Sequence, residues 1–379
     1  MGTSPADRVA TLLDTVAASA SDANARRAPS RSLFEQVAAA GLLQILVPVA
    51  YGGEEASALE FLELVETVAR VDGSTAWTMM TLNEEMEIAA AYLAPETMAR
   101  LCSTEPRTIV AGSGITAGRA VETDGGFRIS GRWRFVTGSP VADQIVLGCL
   151  IEGPSPRQLL YGLVPAADVT ILDTWDTVGM RGTGSNDVVL DDVFVPYERA
   201  GETESANATV PDATLFRLPG SLRFPFPKVG VAAGIARAAI DAMVELAGTK
   251  AGRVSRTLLR DQPDVQQALA EAEAELSAGR AFAVEMLGRV WELAEQGAPI
   301  PPEIHARTRL ACSHSVAASV RATERVASLA GTSANANDGP FARRLADVRA
   351  VPQHFMVGGH HRLQAGRVML GLEPEDPLF

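Results

Sequence analysis

Hydrophobic positions change their period twice along the chain. From Ala6 to Cys102 they recur at helical spacing, with Leu33, Val37 and Leu42 on one stripe and Leu59, Leu62, Val65, Val68 and Ala69 on another. Pro48 and Gly52-Gly53 interrupt that pattern, because proline lacks the amide a helix interior needs and paired glycines favour a turn. From Arg107 to Arg199 the apolar residues come instead in short runs rich in β-branched and aromatic side chains, bounded by Gly, Pro, Asp and Asn. Thr108 to Ala111, Gly126 to Phe135, Gln144 to Leu150, Leu159 to Val164 and Val188 to Phe194 read as strands. Asp124-Gly125-Gly126 is a hairpin signal, so an antiparallel β-domain is expected.

Gly201 to Pro227, rich in Pro, Thr, Ser and Ala, reads as a loop; its length and place between domains suggest part of a lid over a binding site. Helical spacing then returns, and Val229 to Lys250, Pro263 to Gln296, Pro301 to Gly331 and Pro340 to Leu370 are each long enough for a major helix. Proline stands at or near each start, where its missing amide does no harm. Four such helices in sequence make a bundle. The expected class is α+β: an N-terminal helical domain at 1–105, a central antiparallel β-domain at 106–205, a linker at 206–226 and a C-terminal four-helix bundle at 227–379.

Composition narrows the function. The chain has 379 residues, 47% of them hydrophobic and 21% charged, ample for a soluble globular core. A formal net charge of -13, without any dense basic run, opposes nucleic-acid binding. Cys102, Cys149 and Cys312 are far apart and form no CxxC pair, so neither a disulfide framework nor a zinc site is suggested and a reducing compartment fits. The alanine-rich start has no basic segment leading into an apolar core, and no apolar run is long enough to span a bilayer. A cytoplasmic protein with neither membrane nor nucleic-acid partner is expected.

Two local motifs go further. Val47-Pro48 followed by Tyr51-Gly52-Gly53, and the long run from Gly179-Met180-Arg181-Gly182-Thr183-Gly184-Ser185-Asn186-Asp187-Val188 to Asp191-Asp192-Val193-Phe194-Val195-Pro196, resemble signatures of the acyl-CoA dehydrogenase superfamily. The helical, β, helical order matches that family over nearly the whole chain. The resemblance implies a flavin, FMN or FAD, lying between the β-domain and the helical bundle. It also implies that Gly131-Arg132-Trp133-Arg134-Phe135-Val136-Thr137-Gly138-Ser139 meets the ring, with Phe135 in the aromatic place and the Thr137 hydroxyl near flavin N5.

The desaturases of that family need a glutamate to take the substrate α-proton. One usual position follows Ala346-Asp347-Val348-Arg349, yet Val348 to Leu372 contains no Asp or Glu; the other lies on the first bundle helix, and Phe216 to Ile240 contains none either. Gln353-His354-Phe355 stands near the first position and resembles the C-terminal motif of the oxygenase components of two-component aromatic hydroxylases and of dibenzothiophene monooxygenase. In that branch a partner NAD(P)H-dependent reductase delivers reduced flavin, which reacts with oxygen to a C4a-hydroperoxide that oxygenates a small, often aromatic, substrate.

The resemblance makes His354 and Thr137 the catalytic candidates, since a hydroxyl and an imidazole suit the hydrogen bonds such a species needs. It implies flavin contacts from Ser113, Phe135, Thr137, Trp175 and Gln353, and a phosphate contact from Arg253 or Arg256, whose guanidinium fork suits phosphate oxygens. The family also implies a homotetramer. Several positions depart from the oxygenase pattern: Thr137 replaces a usual serine, Val141 and Asn186 stand where relatives have histidine, and Thr81 to Glu87 holds no histidine. His360-His361 is a poor metal chelate, since adjacent helical residues point apart. An acyl-CoA dehydrogenase and a non-catalytic helical binding protein are the alternative readings.

Overall fold

The computed structural model describes all residues except 1–2, 154–157, 204–211, 253–255, 338 and 377–378. Six helices come first: α1 (Pro5–Ala10), α2 (Leu13–Arg26), α3 (Arg31–Ala39), α4 (Ala58–Val71), α5 (Gly73–Tyr92) and α6 (Pro95–Ser103). Strands β1 (Val110–Thr123), β2 (Gly126–Val136), β3 (Gln144–Ile151), β4 (Leu159–Pro165), β5 (Thr170–Leu172), β6 (Asn186–Pro196) and β7 (Ala200–Glu202) follow. The chain continues with α7 (Gly220–Arg223), α8 (Pro225–Thr249), α9 (Pro263–Glu295), α10 (Pro302–Leu329), α11 (Ala342–Ala350) and α12 (His360–Met369). The expected succession of helices, sheet and helices is therefore present.

The described residues cluster into two compact units. One comprises Met1–Ser57, Thr78–Thr177 and Arg181–Phe216; the other comprises Ala58–Trp77, Val178–Met180 and Arg217–Phe379.

In the first unit the strands form one sheet in the order β5-β6-β2-β1-β3-β4-β7. The sheet is mixed rather than antiparallel, because β1 pairs with β3 in parallel. After the β1–β2 hairpin the chain crosses to the far side of β1. Having reversed twice, β3 runs in the direction of β1. Expected strands are all found, but β1 extends well beyond the expected Ala111, and β5 and β7, of three residues each, were not anticipated. Runs that short carry too little alternation to register in a sequence.

In the second unit α4 packs along α8. Gly230 and Gly234 make this possible: a Cβ at either would lie 2.5 Å from the Leu62 carbonyl oxygen or 2.3 Å from that of Glu66. The core between α8, α9 and α10 is built from small and branched side chains, among them Ala236, Ile240, Met243, Leu276, Ala322 and Val326. Three of the four expected long helices are continuous. The fourth is corrected to two, α11 and α12, separated by a 3-10 turn over Val351–Gln353 and the segment from His354 to Gly359. Pro352 lacks the amide that would continue α11, and Gly358-Gly359 disfavours helix before α12. Of the expected loop at 206–226, residues 204–211 lie outside the described part, while Thr214–Arg217 forms a 3-10 turn and α7 follows.

Met180 has a backbone φ of 54°, unusual for a non-glycine residue. Its N–H donates to the buried Asp347 Oδ1 at 2.6 Å. Burial, with the nearby Asp72 charge adding to it, pushes the Asp347 carboxyl up to about 7. A carboxyl raised on folding favours the fold when protonated, so its contribution is complete below the unfolded value of about 3.9. That contribution is lost as pH rises through about 7. Asp347→Asn should therefore flatten the pH dependence of thermal stability between these limits. Asp347→Ala, which removes the carboxyl acceptor of the Met180 N–H, should lose about 1–3 kcal/mol. Denaturation at several pH values measures both.

Candidate functional site

The end of β2 is irregular where chemistry is expected. Its pairing with β6 shifts register between Trp133 and Val136, and within that bulge Phe135 takes a φ of 63°. A bulge redirects a side chain, and the Phe135 ring is 50% exposed. It meets Trp175 edge to face with centroids 6.3 Å apart, while the Arg134 guanidinium lies 4.8 Å above it. These residues, with Arg132, Ser185 and Asp187, line an open depression of about 280 Å³.

Hydrogen bonds hold its walls. Asn186 Oδ1 accepts the backbone N–H of Thr174 at 3.1 Å and of Trp175 at 3.0 Å. Asp187 Oδ2 accepts from Arg132 Nε at 2.9 Å and Nη2 at 2.6 Å. Just past β2 the buried Thr137 hydroxyl lies 2.8 Å from that of Ser185, itself 2.7 Å from Thr183. Three buried hydroxyls thus form a chain whose middle member, Ser185, lines the depression. Gly138, φ 75°, lets the backbone turn there and donate its N–H to the Thr183 carbonyl at 3.0 Å. Ser113 is buried at the irregularity of β1, where its Oγ accepts the Ile115 N–H at 3.3 Å; it does not line the depression.

In the second unit the interrupted helix presents His354. The ring is half-buried, edge-on to Trp77 with centroids 5.6 Å apart and stacked on Phe355 at 4.9 Å. The Met356 N–H donates to His354 Nδ1 at 3.2 Å, which assigns the proton of the neutral ring to Nε2. Burial, then the charges of Lys228 and Arg309, push its pKa well below the usual value. Lys228 is itself buried on α8, donates to the Phe224 carbonyl at 3.1 Å and holds its ammonium 5.9 Å from the Trp77 ring centre.

Gln353, next to His354 in sequence, is exposed at the end of the 3-10 turn. Arg256 is exposed in the connection after α8, with a φ of 57°, and Arg253 lies outside the described residues. Phe135, Thr137 and Trp175 are thus gathered in the first unit, while Gln353, His354 and Arg256 belong to the second. His360, His361 and Asp376 bring possible ligand atoms within 4.8 Å of one another, but both ring nitrogens of His361 already have partners.

An exposed aromatic beside a second aromatic, with guanidinium and hydroxyl groups around them, suits a planar conjugated ring with polar edges, such as isoalloxazine. Comparison with known proteins agrees. Residues 6–96 match the acyl-CoA dehydrogenase N-terminal domain and residues 228–358 the acyl-CoA dehydrogenase C-terminal domain. The chain belongs to the acyl-CoA dehydrogenase family. It is 35% identical to an indole-3-acetate monooxygenase of Pseudomonas putida, covering 91% of this chain and 88% of that one. It is 30% identical to the oxygenase component of an FADH2-dependent resorcinol hydroxylase from a Rhizobium species, covering 97% and 94%. The crystal structure of 3-HSA hydroxylase from Rhodococcus sp. RHA1 superposes with a TM-score of 0.89 at 25% identity, covering 100% and 99%. Within the family, the chain is a flavin-dependent monooxygenase.

Ser185, Lys228 and Arg309 were not singled out from the sequence. Ser185 sits inside the quoted signature, where its hydroxyl had no assigned neighbour. Arg309 carries a readable sign: it falls on the buried stripe of α10 with Ala306, Ser313 and Val316, where a charged residue demands a partner. Among the wall residues, Asn186→Ala should remove the Oδ1 acceptor shared by the Thr174 and Trp175 amides and lower stability by about 1 kcal/mol. Trp175 should become more mobile and reduced-flavin affinity should fall; denaturation and fluorescence anisotropy titration would show it.

Proposed function

We propose that the chain is the oxygenase component of a two-component system, inserting one atom of O2 into a small aromatic substrate. The observation that carries this is His354: a neutral imidazole whose Nδ1 accepts the Met356 N–H, near the position where, by the family resemblance, a desaturase carries its glutamate. The absence of any carboxylate from Val348 to Leu372 and from Phe216 to Ile240 supports the same choice. The names of the relatives support an aromatic substrate and a separate supplier of reduced flavin. A partner NAD(P)H-dependent flavin reductase, a cytoplasmic location and a homotetramer complete the reading. No helix among the described residues is long and apolar enough to cross a membrane.

Reduced flavin, when bound, supplies the two electrons that activate dioxygen; one oxygen atom enters the substrate and the other leaves as water. Phe135 and Trp175 would pack the ring, Ser113 and Gln353 would meet its edges, and Arg253 or Arg256 would meet the phosphate. The Thr137 hydroxyl, oriented by Ser185, would hold the proton at N5 and so hinder loss of the activated oxygen as hydrogen peroxide. His354 Nε2–H would donate a hydrogen bond to the oxygen being transferred. With its pKa held low, the imidazole stays neutral at working pH, with Nδ1 committed to the Met356 N–H and Nε2–H kept as a donor.

The test is to reduce flavin anaerobically with the protein, mix with oxygenated buffer and an aromatic substrate panel led by indoles and phenols, and quantify oxygenated product against hydrogen peroxide. His354→Ala should lower product formation by about 10²–10³-fold, the usual weight of one positioned hydrogen-bond donor. Thr137→Ala should speed flavin reoxidation and divert oxygen to hydrogen peroxide. Unchanged product yield in both variants would overturn the assignment.

A further inference from the structure

We infer that Arg309 and His361 are positioning residues that fix the proton of His354 on Nε2, acting through the peptide bond between Phe355 and Met356. This rests on the monooxygenase reading for its purpose, but not for its geometry. The two ends of that one peptide are both held. Its N–H, from Met356, donates to His354 Nδ1 at 3.2 Å. Its carbonyl, from Phe355, lies 2.6 Å from His361 Nε2. A carbonyl only accepts, so Nε2 of His361 carries the ring proton and Nδ1 is left as the acceptor. Arg309 Nη2 lies against the same ring, within reach of both Nδ1 and Nε2; with the Nε2 proton directed at the carbonyl, Nδ1 holds the lone pair that can accept from it. The direction of donation is then continuous: Arg309 to His361, His361 to the peptide carbonyl, the peptide N–H to His354.

Arg309 is an unusual origin for such a chain. It is 1% exposed, as is His361. Its remaining contacts are the Ser221 carbonyl, 2.7 Å from Nη1, and the Met356 sulfur, 3.6 Å from Nη1. Its charge therefore meets no carboxylate at hydrogen-bond distance among the described residues, and the nearest acidic influence is Asp376. A buried guanidinium polarises whatever it donates to, and linked hydrogen bonds in a low-dielectric interior strengthen one another. The peptide N–H facing His354 is thereby a stronger donor than an isolated amide. That disfavours a proton on Nδ1 and keeps it on Nε2.

The surrounding charges act in the same sense. Lys228 from α8 and Arg309 from α10 face His354, and His360, His361 and Asp376 come from the C-terminal segment. Burial and Arg309 together push His361 down to about 4, so it remains a neutral relay across the working range. Two cations against a neutral histidine pair hold both rings unprotonated.

The experiment uses the full chain labelled with 15N-histidine, with the His354 signals assigned by their loss in His354→Asn. In the native protein the His354 ring nitrogens should report a single Nε2–H tautomer. His361→Phe should mix the tautomers and lower substrate oxidation at neutral pH by about 10-fold, the scale of one hydrogen bond of about 1.4 kcal/mol. His361→Gln, whose amide can accept from Arg309 and donate to Phe355, should restore both. Arg309→Lys, which keeps the charge without the planar fork, serves where His361→Phe does not fold, and should weaken the tautomer preference. A His354 tautomer and pH profile identical in native, His361→Phe and Arg309→Lys proteins would overturn the inference. Because the tautomer is read without flavin, that outcome is distinct from failure of the monooxygenase reading, which would appear as no oxygenated product with the tautomer intact.

Discussion

Where α4 and α8 cross at Gly230 and Gly234, one added methyl group would strike a carbonyl oxygen. The helical unit depends on that approach. With α8 drawn against α4, Lys228 is carried into the interior beside Trp77, whose ring also meets that of His354. α10 packs on the same helix and brings Arg309 inward on its buried stripe. A side chain at either glycine would part the helices and expose the cations whose burial gives them their reach.

Chemistry gathers where regular structure stops. A helix or ladder satisfies its own backbone, so its peptides have nothing left to give a side chain. The bulge at Phe135 breaks the β2–β6 register and turns an aromatic outward. The gap between α11 and α12 frees the Phe355 carbonyl and the Met356 N–H for two histidines. In both places strain or lost pairing is tolerated because neighbouring contacts are strong: Asn186 and Asp187 at the first, Arg309 at the second.

Electrostatics separates the roles of similar residues. His354 and His361 are both kept neutral by burial and by nearby cations, yet one accepts a backbone N–H at Nδ1 while the other meets a carbonyl through Nε2. Asp347 is raised by the same physics with the opposite sign, because burial penalises whichever form is charged. His354 was legible in the sequence as a residue type at a family position, whereas its tautomer was not, since that depends on a peptide held from six residues further along.

What the sequence determined by itself was the order of elements and the chemistry on offer. Period 3.6 and period 2 mark the helices and the longer strands, because burying one face of each element forces that spacing. The run from Gly179 to Pro196 and the pair Gln353-His354 carried the family resemblance, and the missing carboxylates weighed against a desaturase. Tertiary structure alone decided the rest. The parallel pairing of β1 with β3 follows from which side of the sheet the chain returns to, which no local pattern encodes. Pro352 and Gly358-Gly359 were visible, but the apolar spacing ran on across them, so the break that exposes His354 needed the packed structure. Ser185 behind Thr137 and Arg309 behind His361 lie 48 and 52 residues from their partners, and contacts at that separation arise only from the packed fold.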